Sequence, residues 1–115
     1  MTVFRSLLVA MVVILSVYTA VVVANHGMDL LTVFFADMAA MQWPGQFNLD
    51  FMFMLALSAL WVLWRQGVSA VGVVLALCAF FGGALFLTLY LLLLSVQTQG
   101  DVRKMLLGRH MPAHP

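Results

Sequence analysis

Three apolar runs divide the chain, at 6–24, 47–64 and 68–96. The polar residues between them are few enough to place one by one. At about 1.5 Å of rise per residue, runs of this length reach across the roughly 30 Å of a bilayer's hydrocarbon core as α-helices. Val21, Val22 and Val23 do not argue against a helix, because a segment in lipid must satisfy its own backbone whatever its β-branching. The first run follows Arg5 and ends in Val22-Val23-Ala24, a loose match to a cleavage site. It is longer than a usual signal-peptide core and no polar segment follows, so a retained helix is expected.

Between the first two runs, Asn25-His26-Gly27 reads as a helix end and Asp29 as the start of another. Leu30, Val33, Phe34, Met38 and Met41 recur at helical spacing, with Asp29 and Asp37 towards the other side. This predicts a short amphipathic helix over 28–41, lying in the interface or dipping in and out. Trp43 would anchor it and Pro44-Gly45 would stop it. Helix two should close on Trp61, Trp64 and a snorkelling Arg65. The third run is nearly thirty residues without a charge, so as a span it must tilt or overshoot. Gly72, Ala76, Ala79 and Gly83, with Gly82 nearby, form a small-residue stripe suited to close helix packing. A polar-basic tail occupies 97–115. The expected fold is all-α in one domain: an integral membrane protein of three transmembrane helices, with an interfacial helix between the first and second.

Composition agrees. Of 115 residues 65% are hydrophobic and 8% charged, and a soluble chain this short could not hide so much apolar surface. A net charge of +1 gives no basic face for nucleic acid. The single Cys78 has no partner for a disulfide or a zinc site and reads as packing. Charge also sets a conflict. Three crossings put Arg5 and Arg65 on one face and the connector with Arg103, Lys104 and Arg109 on the other. The positive-inside rule then favours opposite orientations from the two halves. A fourth crossing through 30–43 would remove the conflict, but it is too short and would hold Asp37 at mid-membrane. Three spans with the N-terminus inside are expected.

On that topology one face gathers His26, Asp29, Asp37, Asn48, Asp50, Gln97 and Arg103. Asp50, inside the first turn of helix two, is the leading candidate for a ligand or proton site, since a carboxylate at the edge of hydrocarbon needs a partner, a proton or a path to water. The plainer reading is a cap, or an ion pair with Arg103 or Lys104. Asn48 fits an N-cap, and Asp37 a solvated interfacial face. His26 beside Met28 and Asp29 has no recognised ligand spacing, so no metal site is expected. Haem lacks a second intramembrane His, because His110 and His114 lie in the tail. No nucleophile–base arrangement or phosphate loop appears, and no cofactor is expected.

The run His26-Gly27-Met28-Asp29-Leu30-Leu31-Thr32-Val33-Phe34-Phe35-Ala36-Asp37, then Phe47-Asn48-Leu49-Asp50 and Leu57-Ser58-Ala59-Leu60-Trp61-Val62-Leu63-Trp64, resembles a family of small three-helix membrane proteins of bacteria and photosynthetic organisms, a domain of unknown function. The resemblance covers roughly 20–95 and departs in helix three, where Phe86-Leu87-Thr88-Leu89-Tyr90 lacks the family's Pro and its Leu-x-x-Arg ending. It implies a compact three-helix unit, singles out Asp50 and supplies no activity. The expected role is a non-catalytic accessory, assembly or scaffold subunit in a cell membrane, in bacteria the inner one. Its partners would be the bilayer and a larger membrane complex or further copies of itself. A carrier of a lipophilic or protonatable ligand at Asp50 is the alternative. A lipid or isoprenoid enzyme, which would need Asp37 and Asp50 facing each other, stands third.

Overall fold

The computed structural model describes residues 1–111; His114 and the Pro-containing tip lie outside them. The described residues are helical throughout, with no strand: α1 Thr2–His26, α2 Leu30–Ala39, α3 Trp43–Gln66, α4 Ala70–Gln97, α5 Val102–Leu107 and a 3-10 turn at Gly108–His110. Three of these, α1, α3 and α4, are long and apolar enough to cross a membrane, and the short apolar α2 stands between the first and second. The chain is a multi-pass membrane protein. Its α3 begins earlier than the Pro44-Gly45 turn signal suggests, because Pro44 falls in the helix's first turn, where a missing N–H has no intrahelical partner to lose. Gln42, not Asn48, takes the N-cap position. Trp43 and Trp64 are then about 31 Å apart along the axis, one hydrocarbon thickness.

The course of α4 departs from a straight span. Gly83 has φ 57° and ψ −140°, a conformation essentially restricted to glycine. A Cβ on Gly82 would fall 2.6 Å from that of Phe86, whereas neighbours four apart on a continuous helix keep about 5–6 Å. The chain reverses here. Descending from the α3–α4 link, where Gly72 packs on the Gly67 carbonyl, it reaches Phe51 and Leu55 of α3 at Gly83. It then returns until the ring of Tyr90 stands 5.8 Å from that of Trp61. Each arm, 70–82 and 84–97, is about 20 Å long. Both ends of α4 therefore lie beside the C-terminal end of α3.

This reversal decides what else packs. Val62, Ala79, Tyr90, Leu94 and Met105 form the buried core between α3, the two arms and α5. Gly72 is also buried and Ala76 half-buried. The second arm meets only the first half of α1, burying Leu8; from Ser16 to His26 every α1 residue is exposed. At the far end α2 runs antiparallel along α3, with the Asp37 backbone against Gly45, where a Cβ would overlap it.

Candidate functional site

Two polar regions stand at opposite ends. The first is built on Arg65, which was expected to snorkel and is instead buried. Its Nε donates to the Met105 carbonyl (2.5 Å), Nη2 to the Lys104 carbonyl (3.2 Å) and Nη1 to the Tyr90 hydroxyl (3.3 Å). Gln66 Nε2 donates to the same hydroxyl, and Trp61 Nε1 to the Leu106 carbonyl at 3.1 Å. The His110 ring stacks on Trp64 at 3.9 Å between centroids, with Nε2 2.8 Å from the Trp64 carbonyl oxygen. On the α1 side, Arg5 donates through Nε to Ser95 Oγ (3.0 Å) and through Nη2 to the Ser95 carbonyl (2.7 Å). The acceptors are within reach because α4 and α5 end here; the Lys104 and Ser95 carbonyls also accept the backbone N–H groups of Gly108 and Gly100. Asp101 caps α5 by accepting from the Lys104 backbone N–H.

The reversal of α4 thus corrects the expected topology. All five Lys and Arg lie at one end, with Asp101 as the single carboxylate, and Asp29, Asp37 and Asp50 lie in the other half. Five cations less one carboxylate give +4 at the basic end; three carboxylates give −3 at the other, which sums to the formal +1. An ion pair of Asp50 with Arg103 or Lys104 does not form. Lys104 is held at Arg65, about 22 Å along α3 from Asp50. Nor do His26, Asp37, Asn48 and Asp50 share a face with Gln97 and Arg103.

The second region is Asp50 and its surroundings. It sits in the third helical turn, not the first, about 10 Å inward from Trp43. Trp43, Asp50, Leu57 and Trp64, seven residues apart, share one side of α3, and all four are exposed. Asp50 makes no hydrogen bond or ion pair among the described residues. Asn48 faces inward and its Nδ2 donates to the Phe34 carbonyl (3.1 Å), tying α2 to α3. Asp37 is half-buried beside Gly45, and His26 is exposed at the end of α1. Among the described residues no three His, Cys or Asp side chains gather as a metal site. The packing role of Arg65 escaped sequence reasoning; its one signal was a charge next to a Trp pair, which a snorkelling residue gives equally.

No family model, curated protein or solved structure matches the chain.

Proposed function

We propose that this chain is a non-catalytic subunit of a larger membrane assembly, seated in a cell membrane with its basic end in the cytoplasm and docked through the α3 face centred on Asp50. The observation that carries the reading is the position of that carboxylate. It lies a third of the way through an apolar helix, on a side flanked by exposed Phe47, Met54 and Leu57. An Asp at the centre of a span costs about 2.5–3.5 kcal/mol to insert, less nearer the interface. A partner helix with a hydrogen-bond donor or cation at the same depth removes that cost. Charge segregation supports the orientation, since the +4 end belongs in the cytoplasm by the positive-inside rule. A ligand carrier would draw on the same carboxylate but needs walls around it, and the neighbours of Asp50 on its face are open.

The test is affinity isolation of the full chain from native membranes in mild detergent. A stoichiometric membrane partner is expected with the wild type, retained with Asp50→Asn and reduced at least about tenfold with Asp50→Leu, one buried charge-assisted contact being of that size. Isolation of the chain alone or as a homodimer, or a partner indifferent to Asp50→Leu, would overturn the reading.

A further inference from the structure

The basic end holds chemistry that the packing just described does not use. A cleft of about 370 Å³ opens between the C-terminal ends of α3 and α4 and the α5 region, with Arg65, Gln66, Thr98, Lys104 and Arg109 in its lining. Three of these side chains are cationic and none is acidic. Arg65 is fixed by two carbonyls and a hydroxyl, so its position is set while its charge stays uncancelled. Lys104 and Arg109 are exposed, and their side chains make no hydrogen bond or ion pair among the described residues. The Arg109 guanidinium packs against Gly67 in the link, which brings it over the cleft. Asp101 is turned to the start of α5 and takes no part in the lining.

Depth identifies the ligand. Trp64 adjoins Arg65 and stacks on His110, which places the cleft at the headgroup level, where Trp side chains collect. Met111 adds an apolar side chain to the lining, a surface unsuited to a fully hydrated anion and suited to the start of an acyl chain. We infer that this cleft seats the phosphate of an anionic phospholipid headgroup, with Lys104 and Arg109 as direct contacts and Arg65 as a fixed positive charge behind them. The site is independent of the Asp50 face and of any partner bound there.

The experiment uses the full chain in nanodiscs of phosphatidylcholine doped with phosphatidylglycerol, with retained lipid read by native mass spectrometry. Preferential retention of phosphatidylglycerol is expected, and the double substitution Lys104→Gln, Arg109→Gln should lower it about thirtyfold, the effect of two cations near an anionic surface. The charge-keeping pair Lys104→Arg, Arg109→Lys should retain it. Arg103→Gln, outside the lining, should cost less than about fivefold. Melting in phosphatidylcholine alone verifies that each variant folds. The inference is overturned if phosphatidylglycerol is not preferred, if Arg103→Gln costs as much as Lys104→Gln alone (a diffuse surface charge), or if excess inorganic phosphate displaces the lipid (a free-anion site).

Discussion

The two ends of this molecule are held together by different means. At the basic end α1, α3, α4 and α5 are joined by side-chain donors aimed at backbone carbonyls, with Arg65 and Arg5 each bridging two elements. At the far end α2 meets α3 through one Asn48 bond and a backbone approach at Gly45, and 16–26 of α1 is exposed throughout. Apolar side chains gain little by leaving lipid for one another, so helices in a bilayer associate where hydrogen bonds and close backbone contacts are available. The basic end supplies both because Arg5, Trp61, Arg65 and His110 stand beside the carbonyls at the ends of α3, α4 and α5. What lies exposed at the other end is a largely apolar surface that carries the carboxylates of Asp29 and Asp50.

The contrast can be broken most forcefully at Arg65. Arg65→Ala removes the guanidinium from the carbonyls of Met105 and Lys104 and is expected to lower stability by about 3 kcal/mol, two charge-assisted bonds partly offset by water. Denaturation in micelles measures it, with proteolysis at 98–101 reporting release of α5. A loss below about 1 kcal/mol would mean the arginine only sits between helices held otherwise. Next comes Gly83→Ala, expected to cost about 2 kcal/mol. The added Cβ meets Phe51 Cζ at 3.0 Å in a conformation few other residues tolerate. In a Cys78→Ser background, a cysteine at Gln99 should be labelled from the same side of the membrane as one at Thr2. Labelling from opposite sides would erase the distinction between the ends. Smallest is Asn48→Ala, about 1 kcal/mol for a single neutral bond, seen as faster hydrogen exchange confined to α2. Faster exchange in α5 as well would show the two ends to be coupled.

Much of this architecture is written in the apolar runs, because in lipid the backbone leaves a run of such length almost no choice but helix. The reversal at Gly83 is not. A span of 28 residues and two short arms back to back have the same composition, and Gly82-Gly83 inside a stripe with Gly72, Ala76 and Ala79 reads equally as a packing surface. The one trace of the reversal was the disagreement between the charges before and after the third run, which disappears once both ends of α4 lie together. Asn48 failed as a cap for a local reason, since Pro44 let the helix begin a turn earlier and moved Asn48 onto the α2-facing side. Asp50 moved with it, from the rim to a third of the way across. Arg65 is a tertiary matter: which carbonyls lie open to it depends on where α5 folds, and no local pattern in the chain encodes that.

The hairpin in α4 also bears on how such a chain is made. The tip of the hairpin is Phe80, Phe81, Gly82, Gly83, Ala84 and Leu85, with no charged group among them, so the pair can slide sideways from a translocation channel into lipid without carrying anything hydrophilic through. With the basic end in the cytoplasm, as proposed, Arg103, Lys104 and Arg109 stay on the side where they were synthesised. In that orientation the polar segment that has to be exported is the connector after α1, which holds Asp29 and Asp37 and no Lys or Arg at all.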